Sequence, residues 1–549
     1  MSEALLDKPG AEAHGSPLMA ARRDTTADGT RNRIEFWLLT HGRGLWRRAQ
    51  AHPRLERFIN AKLIDSAVKK APSRPYKLST LATYPSWSSL TDKTYNSRQL
   101  PPATGAPPKP SAEAVAELFL RDGPMKECPK STVLFAYFAQ WFTDGFLRSK
   151  RPDKPGDPRD LTRNQSNPDV DLTQLYGVRV EMTRQLRAHE GGLLKFETIG
   201  GEEFPPLLCD EDGLVKAEFS AIEVLGIERL DAEGRRRLFA MGSDAGNSHI
   251  GYAMINVLFL REHNRLARGL RREHPKWDDE RLFQTARGIL TVLLIKLTIE
   301  QYINHIAPYA FQFRFAPESF WKADWYRPNW VAVEFNLLYR WHSLIPSTLH
   351  VAGRELTIEQ TVFNNALLTE RGLGAMFHDA SGQRAGKVCL FNTDPWFHER
   401  ASIRSVTQSR ALQLRPYNAY REDCSLPPVT KFEQISSDGR VIEALERIYG
   451  SVAAIEFYPG IFAEDARPNS VLPSLLGAMV GVHAFSQLMT NPLLARSVWE
   501  QRSDRIDAFS AYGLHEIERT TSLDELLHRN VPGDERYAVR LTREGWRPE

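Results

Sequence analysis

The residue types best suited to chemistry gather in Glu334-Phe335-Asn336-Leu337-Leu338-Tyr339-Arg340-Trp341-His342. Read as a helix, this run sets Phe335, Leu338, Tyr339 and His342 at i, i+3, i+4 and i+7, on one face. An imidazole on such an apolar face has two readings: an axial donor to haem iron, or a core histidine satisfied by its neighbours. If it holds iron, the phenol three residues earlier is carried to the haem edge, in position to give an electron to an oxidised haem. A second run, from Val133 to Phe146, makes an aromatic stripe of Phe135, Phe138, Phe142 and Phe146 with Ala139. Beside it Gln140 and Asp144 stand one turn apart, either a solvated helix edge or a polar wall facing a cofactor.

Long helices are needed to hold two such runs in place. Apolar residues recur at helical spacing across residues 133–147, 254–270, 279–306 and 331–342, so the fold is predicted to be mainly α. Strand signals are confined to residues 194–199 and 387–391, each short enough for a small hairpin. Proline-rich stretches at 71–75 and 100–110 read as extended surface segments. No repeat of fixed period occurs. There is no GxGxxG after a strand, no Walker loop, no HExxH and no nucleophile elbow, which removes the commonest enzyme classes.

Composition narrows the field further. The 549 residues suffice for a large core and, on length alone, for roughly two to four domains unless one helical domain takes most of the chain. Lys plus Arg total 71 against 68 for Asp plus Glu, a net charge of +3 that makes no basic stripe, so nucleic acid is not an expected partner. Cys128, Cys209, Cys389 and Cys424 are far apart in sequence and suggest neither a zinc site nor a disulfide framework; a reducing, cytoplasmic compartment fits them. Residues 1–30 read as a loose tail without the apolar core of a signal peptide. The longest strongly apolar run, Ile289 to Ile295, is far short of the ~20 residues of a membrane-spanning helix, so no crossing of a bilayer is expected. Between Ile34 and Val68, Phe36, Trp37, Leu45 and Trp46 stand beside Arg43, Arg47, Arg48, Arg54 and Arg57. Residues 31–75 are read either as amphipathic helices lying on a membrane surface or as a helical pair packed on their own domain, ahead of a catalytic domain at 76–549.

From about Asn32 to Asn530 the sequence resembles the cyclooxygenase branch of the animal-type haem peroxidases. The most specific stretch runs from Leu260-Arg261-Glu262-His263-Asn264-Arg265 through Glu273-His274-Pro275 to Leu282-Phe283-Gln284-Thr285. Tyr84-Pro85-Ser86-Trp87, Arg98-Gln99-Leu100-Pro101-Pro102, Phe138-Ala139-Gln140, Phe457-Tyr458-Pro459 and Asn491-Pro492 add to it. The resemblance implies a helical, haem-dependent domain with small β elements, binding haem b and using dioxygen as co-substrate on an unsaturated fatty acid. It implies that His342 is the proximal ligand and metal donor, and that Tyr339 forms the radical that abstracts hydrogen from the substrate. Tyr302 then matches a tyrosine hydrogen-bonded to the radical site, Tyr309 one that guards the channel mouth, and Gln140 the distal glutamine. Phe335 falls in the substrate channel, and a homodimer is expected.

The sequence departs from that pattern in several places. Asp144 replaces the distal histidine, so a weak or altered peroxidase is expected. Ala67 stands where cyclooxygenases carry an arginine for the substrate carboxylate, leaving Lys69 and Lys70 as nearest substitutes. The channel-wall serine falls among Ala484, Phe485 and Ser486, with Ser486 the candidate. No counterpart of the animal enzymes' cysteine-rich module precedes the match. Tyr339 followed by arginine, and His342 followed by serine, are also similar to the α-dioxygenases, the first alternative; a haem peroxidase, or a haem protein without oxygenase turnover, is the second. Burying about sixteen carbons at ~0.8 kcal/mol per methylene offers at most roughly 13 kcal/mol, so apolar fit binds the substrate and a head-group anchor chooses the carbon attacked.

Overall fold

The computed structural model describes residues 37, 39–71, 92–104, 109–150, 160–326 and 330–548. The tail at 1–30, Tyr84-Pro85-Ser86-Trp87, most of the proline-rich stretch at 71–75, and 105–108 of the second one lie outside the described residues. Among those described, the chain is a mainly α assembly with three two-stranded sheets.

In chain order the elements that position the site are α1 (Arg43–Gln50), α2 (Pro53–Lys69), β1 (Glu127–Thr132), α3 (Val133–Asp144), β2 (Glu197–Ile199), β3 (Glu202–Phe204), α4 (Ile250–Glu273) and α5 (Asp279–Leu297). There follow α6 (Phe335–Leu338), β4 (Thr348–Val351), β5 (Arg354–Thr357), β6 (Arg384–Gly386) and α7 (Ser474–Met489). β1 pairs antiparallel with β6, β2 with β3, and β4 with β5.

Proline at the first position of α2 starts it, and Asn60, Ile64 and Val68, four residues apart, bury one face against the body of the protein, where α7 lies. Asn60 locks the contact from both sides of its amide, donating to the Arg314 carbonyl (2.9 Å) and accepting from the Arg314 amide (3.0 Å). The helical pair therefore packs on its own domain. Its outer side still exposes Trp37, Leu45, Leu55 and Phe58, at 57, 60, 44 and 61%.

Helices α4 and α5 make the centre of the core. An exposed aspartate cap, Asp278, starts α5 by accepting from the Arg281 amide at 2.8 Å. The stretch Asp279–Ile306 is the one among the described residues long and apolar enough to cross a membrane, but 78% of its 18-residue apolar window is buried within the protein, as befits a core helix. The Arg261-to-Arg265 segment turns out to be structural. Glu262, fully buried, accepts from Arg265, Arg529 and Asn530, and Asn264 holds both backbone groups of Leu194. His263 sits between the Tyr176 hydroxyl (2.8 Å) and the Gly192 carbonyl (2.9 Å). These groups are paired because an unpaired one at this depth costs several kcal/mol.

Three local expectations change. The run 331–342 is not one helix: Ala332 bridges to Ser97, only Phe335–Leu338 is α-helical, and His342 opens a 3-10 turn, His342–Leu344. The cause is Glu334, a buried carboxylate that accepts from the amides of Gln99 (3.0 Å) and Leu100 (3.4 Å) and from the Tyr420 hydroxyl (3.0 Å), so the chain is tied sideways and not to its own next turn. The second strand lies at Arg384–Gly386, just before the expected 387–391, with the Lys387 amide adding one further bond to the Lys126 carbonyl (2.7 Å). Finally, α5 runs into a π-helical turn, Thr298–Ile303, before ending at Ile306.

Candidate active site

The aromatic stripe of α3 is buried against the π-helical turn. Phe135, Phe138 and Phe142 place their rings 5.5, 5.5 and 5.8 Å from that of Tyr302, which has no exposed surface. On another side of α3, Trp141 packs on Phe259 of α4 at 4.4 Å and donates its indole N–H to Asn256 at 3.2 Å. With both of these faces committed, Gln140 and Asp144 turn toward a cavity of about 340 Å³. The opposite wall is the irregular segment carrying Asn336, Tyr339, Arg340, Trp341 and His342. The polar pair thus lines the wall of a cavity, with Asp144 half-buried and Gln140 exposed.

Tyr339 is fixed on two sides, with Phe335 edge-on at 5.2 Å and Trp341 stacked at 4.6 Å. Burial raises its phenol well above the ordinary range, as it does that of Tyr302. The two hydroxyls are coupled, Tyr302 favouring the ionised form of Tyr339, yet neither makes a hydrogen bond of good distance and angle among the described residues. The two hydroxyls are adjacent but not aligned for a hydrogen bond in this conformation.

His342 lies against Phe397, ring centres 5.2 Å apart, and burial holds its imidazole neutral, with a pKa depressed to about 3. Neutral imidazole is the form that binds metal. Among the described residues no cluster of three His, Cys, Asp or Glu side chains exists, so a bare ion would find too few donors, whereas haem iron brings four nitrogens of its own and needs one imidazole. The cavity wall also carries Ser248, Arg340, Trp341 and Trp396, each with a buried polar atom that lacks a hydrogen-bond partner among the described residues. Orphaned donors lining one cavity fit a bound group with acceptors of its own, and the Arg340 Nε suits a propionate. The residues present fit haem.

Across the cavity, Asp144 is engaged: Arg148 lies 3.0 Å from its Oδ2 and 2.5 Å from Asp244. Burial pushes the Asp144 carboxyl up and Arg148 pulls it back, leaving it above the ordinary range. His249, which sequence reasoning missed, completes this wall; its ring Nε2 is 2.8 Å from Gln140 Oε1. The signal was present as a polar residue directly before the apolar run that begins at Ile250, in the position of a helix cap.

The remaining candidates lie elsewhere. Tyr309 lines a separate cavity of about 500 Å³ with Arg43, Lys130 and His305, and packs edge-on against Phe313. Phe313 in turn meets Phe485 of α7, one residue from the buried Ser486, whose Oγ is bonded back to the His483 carbonyl at 3.2 Å. Phe335 stacks on His483 at 4.8 Å, connecting α7 to Tyr339. Lys69 is held at the surface by Asp65 at 3.1 Å, and Lys70 gives its carbonyl to Ser425; neither residue lines the cavity of Tyr339 or that of Tyr309. The four cysteines are free.

Fold and site together define a helical protein with a cavity whose lining fits haem. The animal haem peroxidase family model matches residues 143–541, and the chain belongs to that family, in its cyclooxygenase-like branch. It is 30% identical to prostaglandin G/H synthase 2 of Equus caballus over 515 residues, covering 92% of this chain and 81% of the relative. With prostaglandin G/H synthase 1 of Mus musculus the identity is 31% over 484 residues, 84% of this chain and 76% of the other. Among solved structures, peroxidase A of Dictyostelium discoideum superimposes with a TM-score of 0.64 at 20% identity, covering 83% of this chain and 98% of that one. Fatty acid alpha-dioxygenase of Arabidopsis thaliana gives 0.63 at 16%, covering 93% and 94%, a likeness of fold.

Proposed function

We propose that this protein is a haem-dependent fatty-acid dioxygenase of the cyclooxygenase type, with Tyr339 as the hydrogen-abstracting residue and His342 as the iron ligand. The observation that carries the reading is the placement of Tyr339 and His342 on one wall of a single cavity whose other wall holds Gln140. Haem b, when bound, supplies the one-electron oxidant. Tyr339 holds its proton in the resting protein, so loss of an electron is coupled to loss of that proton beside the Tyr302 hydroxyl. The resulting phenoxyl takes a hydrogen atom from an unsaturated fatty acid and regains its O–H bond. The carbon radical adds dioxygen, and the peroxyl radical takes the hydrogen atom back from Tyr339, leaving the phenoxyl for the next turnover. Phe335 and Trp341 hold the ring on either side, which is the positioning such a reaction asks of a protein.

Asp144, occupied by Arg148, supports a weak or altered peroxidase. Tyr309 and Ser486 belong to the substrate path in this reading; the cations beside Tyr309 are Arg43 and Lys130, and the expected anchors Lys69 and Lys70 stand away from it. The apolar groups exposed on α1, α2 and the residues before them support peripheral attachment to the cytoplasmic face of a membrane. A second reading, α-dioxygenase-like oxygenation next to the carboxylate, is favoured by Arg340 and Ser343, and the carbon that receives oxygen separates the two.

The test is oxygen uptake by haem-loaded protein given linoleate or oleate, with product mass spectrometry. His342→Ala is expected to lose haem; Tyr339→Phe keeps haem and loses oxygenation. Retained oxygenation in Tyr339→Phe would refute the radical assignment.

A further inference from the structure

The imidazole of His249 stands at the start of α4 with one edge toward the helix and the other toward the cavity. Its Nδ1 accepts from the backbone amides of Gly251 (3.0 Å) and Tyr252 (3.3 Å), so the lone pair is on that nitrogen and the proton on Nε2. That Nε2–H lies 2.8 Å from Gln140 Oε1. Turning the Gln140 amide over would set two donors face to face, so this contact fixes which end of the carboxamide is which. Asp144, one turn along α3, is occupied by Arg148, and the one acceptor nitrogen of His249 is already used twice.

We infer that His249 is the positioning residue of the distal wall: it holds the Gln140 carboxamide with its NH2 group toward the cavity, giving that wall an oriented hydrogen-bond donor. The wall is therefore built to bind an anionic or peroxide ligand through Gln140, in place of withdrawing a proton from it. His249 does so through Gln140, without touching the ligand. Burial keeps the ring neutral, with a pKa depressed to about 4, which preserves the one-donor, one-acceptor arrangement.

This rests on the cavity being the haem site, and the experiment keeps the two claims apart. Haem titration of the apoprotein, followed by absorbance, tests the cavity; failure of the wild-type protein to take up haem would overturn that reading. With haem bound, fluoride is the probe, because it ligates ferric haem and is stabilised by neighbouring donors. His249→Leu and Gln140→Leu are each expected to weaken fluoride binding roughly tenfold, the scale of one hydrogen bond to a charged acceptor. The double variant should be no weaker than Gln140→Leu alone. Unchanged affinity in His249→Leu, or a full tenfold loss on adding His249→Leu to Gln140→Leu, would overturn the positioning role. His249→Asn retains a good helix cap but falls short of Gln140, so it should keep thermal stability and still lose fluoride affinity. Ring 15N shifts of the apoprotein provide an independent readout: the Nε2–H tautomer is expected at His249, and the opposite tautomer would sink the inference.

Discussion

Tyr302→Phe isolates a single hydroxyl. The phenylalanine keeps every ring contact with Phe135, Phe138 and Phe142, so what is lost is the interaction with Tyr339. The two hydroxyls are not bonded at rest, so the loss counts only a bond made as the phenoxyl forms; such a bond is worth about 0.5–1.5 kcal/mol, which at ~1.4 kcal/mol per decade corresponds to a rate change of about 2- to 12-fold. Oxygenation by haem-loaded Tyr302→Phe should fall by that amount, with substrate KM unchanged, whereas Tyr339→Phe abolishes it. Because neither hydroxyl is well bonded in the apoprotein, removing one takes away a buried, poorly satisfied polar group, so apoprotein stability should stay equal or rise. The assay is initial oxygen uptake on linoleate, with denaturant unfolding of the apoprotein alongside. A loss beyond a hundredfold would mean that Tyr302 itself carries the radical, and no change in rate would mean that the two phenols do not communicate; either refutes the reasoning.

Asp144→Asn should lower peroxide-driven oxidation of a small phenol by less than about tenfold, short of the ~10²–10⁴ a committed general base supplies; a hundredfold loss would show the carboxylate to be that base. His263 makes stability depend on pH: its pKa is about 4 when folded against 6.5 ordinarily, so between these values the unfolded chain binds more protons and stability falls as pH falls. At pH 5 this amounts to roughly 2 kcal/mol, and His263→Gln should flatten the slope of denaturation midpoint against pH; an unaltered slope rules the histidine out. Leu55→Ser with Phe58→Ser should weaken binding to anionic vesicles at least roughly tenfold, since each side chain carries about 1.5–3 kcal/mol of burial energy. Equal binding by the double variant would remove the membrane-facing reading of α2.

The long helices were legible because α4 and α5 carry apolar residues over far more turns than a strand could use, being buried on all sides from Ile250 to Asn264 and from Ile289 to Leu297, and α3 does the same along its aromatic run. The segment from Val331 to His342 kept that period too, yet its backbone is tied by Glu334 to Gln99 and Leu100, residues more than two hundred positions away, and periodicity carries no trace of such a tie. The β4–β5 hairpin escaped notice because its turn is Ala352-Gly353, with φ of 55° and 72°, and alanine is a poor advertisement for a left-handed turn. In the site, Tyr339, His342, Gln140 and Asp144 stood out by type and spacing with two readings each; the resemblance singled out the haem reading, and the structure brings all four to one cavity. Arg148 was visible as an i+4 partner of Asp144, but its second carboxylate, Asp244, comes from a distant loop. His249 could be read as a cap and not as a neighbour of Gln140, because that contact exists only once α3 and α4 are packed.

The tie made by Glu334 also has a bearing on how the protein fails when heated. Tyr339 and His342 ride on a piece of chain with little regular structure of its own, while the surrounding helices bond to themselves and bury continuous faces. Segments of the first kind open at lower free energy than the core around them. Cofactor release on warming should therefore come as a separate, earlier event than loss of helicity, and the molecule should pass through a state that is still folded, already empty, and able to recover its cofactor on cooling.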